Sequence, residues 1–93
     1  MVLKPVSLVT GGGRGIGRAI SLELAKSGFD VIITFRANRS AAEETVEFIR
    51  QTGGRGEALC FDVADREEAE KQIEALLTRT KALDVLVNNA GET

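Results

Sequence analysis

The sequence predicts an α/β fold of order βαβαβαβ, a parallel sheet of four strands with three helices, and three observations carry that reading. Short apolar, β-branched runs alternate with helix-length amphipathic stretches along the whole chain. The strand runs are continuous in hydrophobicity, as strands covered on both faces are. Glycines or capping residues stand at the junctions. Such alternation closes through right-handed crossovers into a parallel sheet.

Val6 to Val9 is a short β-branched run introduced by Pro5 and followed at once by glycines, which predicts the first strand. From Ile16, the residues Ile16, Ala19, Ile20 and Leu24 recur at helical spacing, and Gly28 stands where a left-handed cap is expected. Val31 to Phe35 is the most β-prone run and predicts the second strand. Ser40 and Glu43 form a capping box for a second helix that carries Ala42, Val46 and Ile49 on one face and stops at Gly53 and Gly54. Glu57 to Phe61 reads as the third strand. Asp65 with Glu68 opens a third helix that turns Ala69, Ile73, Leu76 and Leu77 inward, and Leu83 to Val87 reads as the fourth strand.

Composition bounds what such a chain can do. Its 93 residues are 43% hydrophobic and 28% charged, which suits one small domain or part of one. A chain of this length buries only about 60 to 65% of its unfolded surface, so its core is expected to be thin. With 12 basic and 14 acidic residues and a net charge of −2, it has no basic stripe for nucleic acid. It carries neither a signal-peptide pattern nor an apolar run of membrane-spanning length, and a cytoplasmic location is expected. Cys60 is the only cysteine and is expected to be a buried, inert thiol. Because His, Tyr and Trp are absent, the chain supplies no Ser-His-Asp triad, no imidazole metal ligand and no tyrosyl general acid. Neither a catalytic residue nor a metal ligand is assigned.

The first strand runs through Thr10-Gly11-Gly12-Gly13-Arg14-Gly15-Ile16-Gly17 into a helix. Gly11 permits the turn, Gly15 lets a diphosphate approach the backbone, and Gly17 lets the helix pack near the strand. Free amides and the helix dipole then favour the anion. The spacing G-x-x-x-G-x-G differs from the G-x-G-x-x-G dehydrogenase fingerprint, and no Lys-Ser or Lys-Thr completes a phosphate-binding Walker loop. The second strand ends at Phe35-Arg36, close to the offset of about 20 residues at which an acid would grip the ribose of NAD. An arginine stands there instead, and Arg36 with Arg14 suits the 2′-phosphate of NADP(H). Arg39 and Ser40 are weaker candidates. Asp62-Val63 and Asn88-Asn89-Ala90-Gly91 follow the third and fourth strands on the same sheet edge, where open α/β sheets bind ligands; each also reads as an ordinary turn.

Together the glycine motif, Asp62-Val63 and Asn88-Asn-Ala-Gly91 resemble the N-terminal half of a short-chain dehydrogenase/reductase, closest to 3-oxoacyl-[acyl-carrier-protein] reductase-like members. The resemblance spans residues 1–93 as a Rossmann half-domain, incomplete relative to the family. It implies NADP(H) binding, with the loop of Thr10, Gly11, Gly13, Arg14, Gly15, Ile16 and Gly17 on the diphosphate. Arg14 and Arg36 would meet the 2′-phosphate, and Asp62 and Val63 the adenine. Asn88 would brace the central strands, with Ala90 and Gly91 along the adenosine side. The family's Tyr-x-x-x-Lys motif, serine and further asparagine lie beyond the N-N-A-G segment, and this chain has no tyrosine. Lys71 and Lys81 read as surface charges.

Three functions follow as expectations. The first is the NADP(H)-binding portion of a carbonyl-reducing or alcohol-oxidising enzyme, inactive without its catalytic half. The others are a nucleotide-binding module without chemistry, and a structural fragment whose exposed sheet edge self-associates or pairs with a C-terminal half on another chain. Nucleic acid and membrane are not expected partners.

Overall fold

A computed structural model describes residues 4–13, 15–80 and 83–89. Four strands and three helices alternate: β1 (Val6–Val9), α1 (Gly15–Lys26), β2 (Asp30–Phe35), α2 (Arg39–Gln51), β3 (Gly56–Cys60), α3 (Arg66–Thr80) and β4 (Val85–Val87). All strands pair in parallel in the order β3-β2-β1-β4. Leu8 lies level with Ile32 on one side and with Leu86 on the other. The α/β architecture anticipated from the alternation of apolar runs is therefore observed.

The direction of travel reverses after β3. The first two crossovers move the chain outward from β1 to β3, and the third returns it to the opposite side of β1. With crossovers of one hand, reversal puts the third helix on the other face of the sheet. The core divides accordingly. Val9, Val31, Ile33 and Phe35 pack with Ala25, Ala42, Val46 and Ile49 under α1 and α2, whereas Leu8 and Ile32 pack with Leu76 under α3. Alternate residues of β2 thus face opposite helix layers, which is why Val31, Ile32 and Ile33 are apolar in succession.

Local chemistry fixes the helix ends. After α1, Phe29 N–H donates to Leu24 O and Gly28 N–H to Ala25 O, both at 3.1 Å, with Gly28 at φ 97°. Gly54 and Gly53 repeat this pattern after α2 on Ile49 O and Arg50 O. Each pair closes a Schellman cap whose left-handed residue is glycine.

Two expectations need correction. The capping box at Ser40 does not form: Asn38 is the N-cap of α2, its Oδ1 accepting the Ala41 amide at 3.0 Å, and Ser40 lies inside the helix. Asn caps as well as Ser, and Glu43 pairs with Arg39 at 4.0 Å on the helix surface. In α1 the buried face is Gly17, Ser21 and Ala25, while Ile16 is 65% exposed and Ala19 is exposed. Small residues win this face because α1 approaches the β1 loop closely. Leu77 of α3 is also exposed, leaving Leu76 as the buried anchor of that helix.

Among the described residues β4 pairs only with β1, and Leu86 is 60% exposed. No described helix is long and apolar enough to cross a membrane.

Candidate functional site

Where the sheet order reverses, the carboxyl ends of β1 and β4 part company from the crossovers on either side, and a cleft opens above them. A groove of about 400 Å³ lies there, lined by Thr10, Gly11, Arg36, Asp62, Val63 and Asn88 over an apolar floor that includes Leu8 and Ile73. Six of the residues singled out from sequence therefore meet in one groove. Arg14, Ala90 and Gly91 lie outside the described residues.

The glycine loop is held from three sides. The Gly11 amide donates to Thr34 Oγ1 at 3.2 Å and the Gly12 amide to Thr34 O at 3.3 Å. These two donors are thus already engaged by protein. The expectation of a wholly bare row of amides from Thr10 to Gly17 narrows to the C-terminal part of the loop and the first turn of α1, whose amides have no preceding helical carbonyl. Gly15 opens that turn at φ 60°, with empty space where a Cβ would stand. Both its conformation and its open surroundings suit the close approach of an anion.

Gly17 has the opposite environment. A Cβ there would fall on the Gly11 carbonyl oxygen and lie 2.8 Å from Asn89 Nδ2. Gly12 is equally confined, since its Cβ would sit 2.5 Å from Ile33 Cγ2. One glycine of the motif is therefore kept for access and two for packing.

The Asn-Asn pair after β4 clamps the loop from the other flank. Asn89 N–H donates to Thr10 Oγ1 at 2.8 Å, and Asn89 Nδ2 donates to Gly11 O at 3.3 Å. Thr10 N–H in turn donates to Val87 O at 3.0 Å. Asn88 Oδ1 stands 3.4 Å from the Thr10 hydroxyl. Both asparagines therefore reach the end of β1, Asn88 through its side chain and Asn89 through backbone and side chain.

On the outer side of the groove, Arg36 and Asp62 form an ion pair at 3.8 Å, both half-exposed. A pair in such surroundings contributes about 0 to 1 kcal/mol, so either partner can turn to a ligand at little cost. Asp62 Oδ1 also accepts the Ala64 amide at 2.9 Å, which gives it the turn role as well. Arg39 lies over the Phe35 ring at 5.0 Å. Cys60 is exposed, contrary to the expectation of a buried thiol: it ends the edge strand β3, and its Sγ reaches Arg36 O at 3.6 Å.

Sequence reasoning missed Thr34, Arg18 and Thr45, and named Asn89 within its motif without the loop contacts it makes. A buried threonine inside an otherwise apolar strand was the one local signal for the first of these.

Comparison with known proteins agrees with this geometry. The family model described as short chain dehydrogenase matches residues 5–93. The chain is 45% identical over 92 residues to the short-chain dehydrogenase/reductase homolog YusS of Bacillus subtilis, covering 99% of this chain and 84% of that protein. It is 41% identical over 93 residues to the 3-oxoacyl-[acyl-carrier-protein] reductase FabG of Staphylococcus aureus, where it spans the whole of this chain and 38% of the relative. A crystal structure of acetoin dehydrogenase from Enterobacter cloacae superposes with a TM-score of 0.88 at 35% identity, over 100% of this chain and 37% of that one. The loop that turns on Gly11, packs on Gly17 and is clamped by Asn89 is thus set in a sequence that matches one family almost from end to end, and the chain belongs to the short chain dehydrogenase family.

Proposed function

We propose that these residues form the NADP(H)-binding portion of an oxidoreductase that reduces a carbonyl or oxidises an alcohol, with a 3-oxoacyl thioester as the substrate class. The observation that carries the reading is Arg36 at the end of β2, on the groove, where an NAD-binding site would present an acid. The local structure fits a dinucleotide in two further respects: the open space over Gly15 and the helix N-terminus that Gly15 opens.

In this reading Gly13, Gly15, Ile16 and Gly17 bring the helix N-terminus to the diphosphate, and Thr10 and Gly11 shape the loop behind it. Arg36, with Arg14, recognises the 2′-phosphate through charge-assisted hydrogen bonds. Asp62 and Val63 border the adenine, and Asn88, Ala90 and Gly91 the adenosine side. When bound, the nicotinamide ring supplies or accepts a hydride. The 93 residues contain no tyrosine, so no tyrosyl proton donor comes from them and we assign them no catalytic residue.

Calorimetric titration of the chain with NADPH and NADH tests this. Tighter binding of NADPH is expected, and a clear preference for NADH contradicts the arginine argument. A second reading, a fragment that pairs with another chain, is favoured by the edge of β4, unpaired among the described residues, and the exposed Leu86. Recovery of reductase activity on mixing with a segment that carries Tyr-x-x-x-Lys would support it.

A further inference from the structure

Arg18 is the most heavily engaged charged side chain near the glycine loop, and nothing above gives it a role toward a ligand. It follows Gly17 on α1, and its side chain is 23% exposed. Its Nε donates to Thr45 Oγ1 at 2.8 Å and lies 3.2 Å from Gly13 O, while Nη2 donates to Gly13 O at 2.8 Å and to Ala41 O at 3.0 Å. Glu44 Oε1 pairs with Nη2 at 3.0 Å, and the guanidinium lies over Phe48 at 5.4 Å. Thr45 is fully buried, and its hydroxyl lies 2.9 Å from Gly13 O and 3.2 Å from Ala41 O.

Every one of these partners belongs either to the glycine loop or to α2. The Gly13 carbonyl therefore has a fixed direction. Ala41 lies in the first turn of α2, whose cap Asn38 stands two residues after Arg36. Thr34 independently holds the Gly11 and Gly12 amides, so loss of Arg18 loosens the Gly13 end, left with the Thr45 hydroxyl alone, while the other end stays tied. A lysine cannot reproduce the set, because it offers a point charge where the planar fork serves several acceptors at once.

We propose that Arg18 and Thr45 are positioning residues for the dinucleotide. They lock the diphosphate loop to the start of α2 and so hold it at a fixed separation from the 2′-phosphate subsite at Arg36. NADPH, engaging both subsites, gains from that fixed separation, whereas NADH engages one. This inference rests on the NADP(H) reading above.

The test is titration of the 93-residue chain and its Arg18→Gln, Arg18→Lys and Thr45→Val variants with NADPH and with NADH, followed by cofactor fluorescence. Arg18→Gln is expected to lower the NADH-to-NADPH ratio of Kd by about fivefold or more, within the usual span of coupling between sites. Arg18→Lys is expected to fall between Arg18→Gln and the unsubstituted chain, and Thr45→Val to lower the ratio in the same direction. A purely structural role would reduce the competent fraction, raising both Kd values by one common factor and leaving the ratio unchanged. An unchanged ratio in Arg18→Gln, with NADPH still preferred by the unsubstituted chain, overturns this inference alone. An unsubstituted chain that binds neither dinucleotide, or prefers NADH, overturns the underlying reading and this inference with it.

Discussion

Thr34 shows how much a single buried hydroxyl can carry. It is an isostere of valine in a strand of β-branched residues, yet its Oγ1 takes the Gly11 amide and its carbonyl takes that of Gly12. Thr34→Val keeps the shape and strips Gly11 N–H of its partner, so it is expected to cost about 1 to 3 kcal/mol of stability. Urea unfolding reads this as a lower midpoint, and a midpoint equal to the parent's would show that the loop amide finds another acceptor. Gly17→Ala is expected to be at least as damaging, about 1 to 3 kcal/mol or more, because the new methyl meets backbone oxygen and not a side chain able to turn away. Gly15 meets nothing within 4 Å, so Gly15→Ala strains only its own left-handed backbone. At the groove, Arg36→Asp removes the charge that suits a 2′-phosphate and restores the acid that suits a ribose hydroxyl. NADPH binding should weaken about tenfold or more while NADH binding holds or improves, as titration of the two cofactors would reveal. The glycine pattern was legible in the sequence because its strand and helix flanks are local. Thr34, Thr45 and Asn89 were not, since their loop partners lie 23, 32 and 78 residues away along the chain.

At the scale of elements, the ends of helices were easier to read than their beginnings. Gly28 and Gly53 were recognisable as stops because few residues other than glycine take a left-handed cap, and both sit there with φ of 97° and 89°. Starts are degenerate: Asn38 and Ser40 both belong to the favoured cap residues, and the sequence segment Asn-Arg-Ser-Ala offers either register. The two registers differ in consequence. Asn38→Ala should cost about 1 kcal/mol and Ser40→Ala close to nothing, because only Asn38 holds an amide of the first turn. Equal losses in thermal melts of the two variants would return the cap to Ser40. The buried face of α1 escaped the hydrophobic pattern for a different reason. A helix that must pass within contact of a backbone carbonyl turns its smallest residues inward, so Gly17, Ser21 and Ala25 win over Ile16 and Ala19. Ile16 is left in solvent, 65% exposed.

The whole molecule is unequally covered. The core cluster between the sheet and α1 and α2 holds eight buried residues, whereas the one on the opposite face holds Leu8, Ile32 and Leu76. Helix α3 has one fully buried anchor, and β4, a strand of three residues, has an edge unpaired among the described residues, with Leu86 60% exposed. Unpaired edges with apolar neighbours template further pairing, and lysine on an edge strand is a common means of blocking it. The isolated chain is therefore expected to associate as its concentration rises, with β4 and the α3 face at the contact. Leu86→Lys should shift the sedimentation profile toward monomer without lowering the melting temperature, because the side chain it replaces contributes little to the core. A parent chain that sediments as a monomer at every concentration would show that the edge is blunted by some other means. A Leu86→Lys variant that associates as strongly as the parent would move the contact elsewhere. The same edge bears on function: β1 and β4 frame the groove together, and Asn89 ties β4 to the glycine loop. Any partner that pairs with β4 thus stiffens the strand that clamps the loop, so NADPH affinity is expected to rise with the fraction of chain in the associated state. Titrations run across the concentration range of the association would detect that linkage, and an affinity independent of concentration would separate the edge from the site.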